Sequence, residues 1–192
     1  MTLGRLDTPA SPGRVKSRRT ALKKQKGFSL IELLIVVAII LIIAAIAIPN
    51  LLRARISANE ASAVGSLRTI VTGETSYQAA GWTTAAGAPV GYSAALGDLG
   101  DAAKSSCQPA PTVTNTCYID NVLASATTAA TAKSGYYFTY VATGGGPNTG
   151  FTVNGDPATR GQTGSRSFFV DQSGVIRANP SATAVSTDPA IQ

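Results

Sequence analysis

The sequence predicts an α+β chain: a long N-terminal helix, membrane-spanning in its first half, whose C-terminal half packs on a small antiparallel sheet head domain. Three observations carry that expectation. An almost unbroken apolar run fills residues 28–48, an apolar periodicity of three and four continues from it to about residue 78, and four short β-branched and aromatic runs follow late in the chain. Helix first and strands afterwards, without alternation, is the α+β order.

Residues 1–27 form a basic leader. Eight Lys or Arg (Arg5, Arg14, Lys16, Arg18, Arg19, Lys23, Lys24, Lys26) face one acid, Asp7, so this segment is +7 while the whole chain is +6. The rest is therefore near −1, and the basic balance belongs to the leader alone. With Pro9, Pro12 and Gly13 and no apolar periodicity, it reads as a disordered arm retained in the cytoplasm.

After Phe28 the chain to Ile48 is Leu, Ile, Val and Ala, broken only by Ser29 and Glu32. As a helix these residues span about 31 Å at about 1.5 Å per residue, which matches a bilayer core of about 30 Å. The preceding Lys and Arg keep the N-terminus in the cytoplasm and send the remainder outward. Ala45-Ile46-Ala47 formally offers a signal-peptidase site. The run, however, exceeds an h-region of about 7–15 residues, and cleavage there would leave Pro49 second in the product.

Residues 28–80 are expected as one helix, with 28–48 transmembrane and 49–80 amphipathic. Pro49 removes a donor and crowds a carbonyl one turn back, so a kink is expected there, the alternative being a turn at Pro49-Asn50 and a separate helix. Beyond it Leu52, Ile56, Ala63, Leu67, Ile70 and Tyr77 form the apolar stripe, with Arg53, Arg55, Asn59, Glu60 and Arg68 between them.

Residues 81–192 make the head. Gly, Thr, Ser, Ala and Pro dominate 81–134, read as a long irregular connection with a short helix at 120–126. The strands expected are Tyr136–Ala142, Phe151–Asn154, Ser167–Val170 and Val175–Ala178, with Asp171-Gln172-Ser173-Gly174 closing a hairpin. The polar tail from Asn179 is expected to fray. Trp82 and Tyr92 read as core packing rather than a contact surface.

The composition narrows the chemistry. The chain has no histidine, which removes His triads, His general bases and His-containing metal sites. GGGPNTG at 144–150 lacks the lysine of a phosphate loop and reads as a hairpin loop. Asp171 reads as a turn aspartate rather than a calcium ligand. No metal, no cofactor and no enzymatic activity are expected. Cys107 and Cys117 lack C-x-x-C spacing; in an exported domain they are expected to form one disulfide contributing about 2–4 kcal/mol, two free buried thiols being the alternative.

Glu32 raises the functional question. A carboxylate in hydrocarbon costs about 2.5–3.5 kcal/mol on insertion scales, less near a helix start, where it reaches the interface and the dipole favours an anion. It is either a snorkelling acid or one that meets a cation. If the chain were cut after Gly27, Phe28 would present a free amine at the right depth to pair with Glu32 of an adjacent subunit; its own Glu32 lies four residues away at the same helix start.

The stretch KGFSLIELLIVVAIILIIAAIAIPN resembles the N-terminus of type IV pilins and the related pseudopilins. The resemblance covers about 30 residues closely. It implies that a prepilin peptidase cuts after Gly27 and methylates Phe28, that Glu32 guides subunit docking, and that Pro49 is the kink proline. It further implies a homo-oligomeric helical filament, an inner-membrane assembly platform and a cytoplasmic ATPase. The precursor would cross the bacterial inner membrane once and then enter a periplasmic or cell-surface filament. Two features depart from the family: the leader is longer than is usual beside a first mature phenylalanine, and the cysteines precede the strands instead of closing a C-terminal loop.

Two machines use such a helix, the type IV pilus and the pseudopilus of type II secretion; the disulfide and the Gly/Thr/Ala-rich loops favour the pilus. A nucleic-acid partner is expected only where such a filament takes up DNA. A membrane-anchored monomeric binding module is the reading from another class, and it requires neither processing at Gly27-Phe28 nor Glu32.

Overall fold

Helix α1 (Leu30–Ala79) runs 50 residues through Pro49 with no break in its helical assignment. The computed structural model describes residues 27–101 and 111–191; the leader through residue 26 and Cys107 lie outside them. The chain divides into two compact units, Met1–Ile42 and Ile43–Gln192. The described part of the first is Gly27, Phe28, Ser29 and the start of α1, with every residue exposed. α1 is long and apolar enough to cross a membrane.

In the second unit α1 becomes the spine of the head. Ala63, Leu67, Ile70 and Tyr77 are buried as the periodicity predicts, but Ile56 is half-buried and Leu52 exposed. The buried stripe therefore starts at Glu60, not at Leu52. Glu60, expected among the solvent-facing residues, sits on the stripe, and Ser66, Gly73 and Glu74 complete it.

Four strands follow: β1 (Tyr136–Thr143), β2 (Gly150–Pro157), β3 (Ser167–Asp171) and β4 (Arg177–Asn179), forming one antiparallel meander in sequence order. Phe138 faces Gly155, Val153 faces Val170 and Phe168 faces Ala178. β2 outruns the sequence expectation to Pro157 because β1 pairs with it along its full length, from Tyr136↔Pro157 to Thr143↔Gly150. That pairing overrides the poor strand propensity of Asn154-Gly155-Asp156. The β3–β4 turn forms as predicted: Asp171 Oδ1 accepts from Ser173 N at 2.9 Å, Gly174 N donates to Asp171 O at 2.9 Å, and Gly174 takes φ +74°.

Leu67 and Ile70 of α1 pack with Phe138, Phe151, Val153 and Phe168 in one core. Burying each such side chain stabilises the fold by about 1.5–3 kcal/mol. The described parts of the connection, residues 81–101 and 111–134, are less loose than their composition suggests. They hold a 3₁₀ turn at Leu96–Leu99, helix α2 (Asn121–Ala124) capped by Asp120, and a 3₁₀ turn at Ala129–Thr131. Leu96, Leu99, Ile119, Leu123 and Ala126 all join the core. Gly73 permits this: a Cβ there would lie 3.1 Å from Ile119 Cγ2, so the helix meets the connection at bare backbone. Trp82 and Tyr92 are half-buried against the core, Trp82 beside Tyr77 and Tyr92 edge-on to Phe151.

The expectation of a frayed tail is corrected. Ala178 N donates to Pro189 O at 3.1 Å and Ile191 N to Ile176 O at 2.9 Å, so residues 189–191 cover the free edge of β4. Asp188 holds the returning loop by accepting from Val185 N and Asn179 Nδ2, and Ala184 is buried beneath it.

Candidate functional site

The site predicted from sequence is the start of α1. Gly27 and Phe28 precede the helix, Leu33 N donates to Ser29 O at 3.2 Å, and Glu32 lies in the first turn, where the orphan N–H groups favour an anion. Phe28 is 76% exposed. From there to Leu52 the large apolar side chains lie open, and Ala44 alone is half-buried. Soluble monomers rarely expose contiguous apolar patches beyond a few hundred Å². This band therefore requires a covering of lipid or of other protein.

Two ion pairs form among the described residues, Lys133–Asp120 at 3.1 Å and Arg166–Glu60 at 2.8 Å. Glu32 is in neither. Pro49 is exposed inside the continuous helix, and Cys117 is exposed with φ +56°. Of the six predicted site residues, Gly27, Phe28 and Glu32 share the helix start, Pro49 lies along α1, Cys117 belongs to the head, and Cys107 is outside the described residues.

Two carboxylates that the sequence reading overlooked fasten α1 to the head. Glu60 Oε1 accepts from Ser165 N at 3.0 Å and Arg166 N at 3.1 Å, while Oε2 accepts from Arg166 Nε at 2.8 Å. Asn59 Nδ2 adds a bond to Thr163 O at 2.8 Å. Burial alone would raise the Glu60 carboxyl, but these donors and the guanidinium charge outweigh it and hold it below the ordinary range.

Glu74 sits about four turns further along the helix and is fully buried. Its Oε2 accepts from Ser93 N at 3.1 Å and its Oε1 from Ser93 Oγ; Tyr140 OH donates to Ser93 O at 3.0 Å. Asn148 Nδ2 reaches Tyr92 O and Ser93 O at 3.1 Å, so one hub joins α1, the connection, β1 and the β1–β2 loop. Burial raises the Glu74 carboxyl, the Ser93 and Tyr140 hydrogen bonds oppose that only in part, and the Asp98 charge adds to it. The signal for both acids was present: Glu60, Ala63, Leu67, Ile70, Glu74 and Tyr77 recur at three and four. Carboxylates in phase with an apolar stripe are anchors in waiting.

The exposed apolar helix, the single acid at its start and the small antiparallel head together make an α+β, pilin-like architecture. The family described as the prokaryotic N-terminal methylation motif matches residues 22–48. The type IV wide pilus major component PilA4 of Thermus thermophilus is 51% identical over 57 residues, which are 30% of this chain and 44% of that protein. The chain thus spans less than half the length of the curated relative it matches. No solved structure matches the chain. The family match is confined to the N-terminal segment, residues 22–48.

Proposed function

We propose that the chain is a structural subunit of a type IV pilus-like filament. A prepilin peptidase cuts after Gly27 and methylates Phe28. The helix from Phe28 to Ile48 stores the subunit in the inner membrane with its N-terminus cytoplasmic, and an assembly platform with its ATPase moves it into a periplasmic or cell-surface filament. There the apolar helices bundle, and Glu32 of one copy meets the Phe28 amine of the next. The observation that carries this reading is the open apolar band from Phe28 to Leu52, interrupted by one carboxylate that has no cation among the described residues. A pairing across copies offsets part of the desolvation cost of that charge. The likeness to a pilus major component favours the pilus over the pseudopilus of type II secretion.

Shearing cells that carry Glu32→Ala tests the pairing. The variant is expected to insert and be processed yet yield few or no filaments; filaments at the normal yield would defeat the mechanism. The Cys107–Cys117 disulfide belongs to the same proposal, and reduction of the denatured mature protein is expected to add about two hydrogens to its mass. An unchanged mass would remove the bond.

A further inference from the structure

We propose that the groove beside Arg55 binds one membrane phospholipid, its phosphate against the guanidinium and an acyl chain along Ile48, Leu51 and Leu52. The inference rests on the membrane-spanning reading of residues 28–48 and not on filament assembly. A groove of about 470 Å³ is walled by Leu52, Arg55, Asn59, Gln162 and Thr163. A second, of about 240 Å³, is lined by Ile48, Leu51, Leu52 and Arg55. They share Leu52 and Arg55, so an apolar track runs into a polar cleft at one cation. That sequence of surfaces has the chemistry of an amphiphile with an anionic head.

The guanidinium is available. Arg160, Arg166 and Arg177 each donate to a partner in the head, whereas Arg53 and Arg55 make no hydrogen bond or ion pair among the described residues. Glu60, the next acid along α1, is committed to Ser165 and Arg166. The cleft wall contributes neutral groups, and Asn59 spends its amide N–H on Thr163 O. Position agrees as well. At about 1.5 Å per residue Arg53 and Arg55 lie roughly 7–10 Å beyond Ile48, in reach of a headgroup layer of roughly 5–8 Å per leaflet. Arg68 lines a different groove, among Thr69, Thr72 and Ser76, without an apolar track.

The test uses the full chain in non-ionic detergent, titrated with dioleoyl phosphatidylglycerol and read by native mass spectrometry. One retained lipid is expected, with about fivefold weaker retention for Arg55→Gln, the loss of one cation at a lipid surface. Neither dioleoylglycerol, which lacks the phosphate, nor glycerol phosphate, which lacks the chains, is expected to be retained. Glu32→Ala is expected to keep the lipid even where it loses filaments, so failure of the two readings is told apart. Equal retention by wild type and Arg55→Gln, binding of glycerol phosphate as tightly as the lipid, or displacement of the lipid by self-association through this groove would each overturn the proposal.

Discussion

At the scale of single residues, two buried acids on one helix face give opposite dependences on pH. Glu60 has a lowered folded pKa, so its contribution is present above the ordinary carboxylate range and lost as pH falls through the lowered value. Glu74 has a raised folded pKa, so the folded state is favoured below the ordinary range and that advantage is lost as pH rises through the raised value. Glu74→Gln, which imitates the protonated acid, is therefore expected to gain stability relative to wild type as pH rises from about 4 to 8. Urea midpoints at several pH values measure this; a constant difference between the two proteins would contradict it. Glu60→Ala leaves the N–H groups of Ser165 and Arg166 without their acceptor and is expected to cost about 2–3 kcal/mol near neutral pH. A loss under about 0.5 kcal/mol, the range of ordinary surface changes, would remove Glu60 as an anchor. Glu32 stands out in the sequence because it is a charge in a run of Leu and Ile. Glu60 and Glu74 show in the sequence only their phase with the apolar stripe; their anchoring role was hidden, because it depends on Arg166, 106 residues away, and on Ser93, 19 away.

At the scale of elements, the helix was legible in the sequence well beyond its apolar half because Ala63, Leu67, Ile70 and Tyr77 hold a single phase. The stripe's beginning was misplaced at Leu52, since periodicity shows which side is apolar but not how far the head reaches along it. The four strands were legible as well, β3 and its turn most fully, because Asp171-Gln172-Ser173-Gly174 carries its own hydrogen-bonding chemistry, whereas β4, expected at Val175–Ala178, forms at Arg177–Asn179. The second half of β2 and the docked tail were hidden, since both depend on pairing with a neighbour: β1 for Asn154–Pro157 and the free edge of β4 for residues 189–191. Leu67 lies where helix and sheet meet and is fully buried. Leu67→Ala is expected to cost about 2–5 kcal/mol and to lower the urea midpoint with little change in slope. A cost below about 1 kcal/mol would mean that α1 does not depend on the sheet for its seat.

At the scale of the whole molecule, the two parts of α1 have different environments. In the head its apolar stripe is satisfied by Phe138, Val153, Phe168, Leu96, Leu99, Ile119 and Leu123, and the two acids fix it there. Between Phe28 and Leu52 nothing among the described residues covers it. The proposal is that lipid covers it first and other copies of the chain afterwards, with the change made selective by one carboxylate and one newly exposed amine. A heterologous contact of that kind extends into a filament where its rotation does not close into a ring. The most direct measurement is the mass of the N-terminal peptide of the protein recovered from sheared surface filaments. The expected peptide begins at Phe28 and carries one methyl group; a chain that keeps its basic leader and is found only as a membrane-bound monomer would contradict filament assembly.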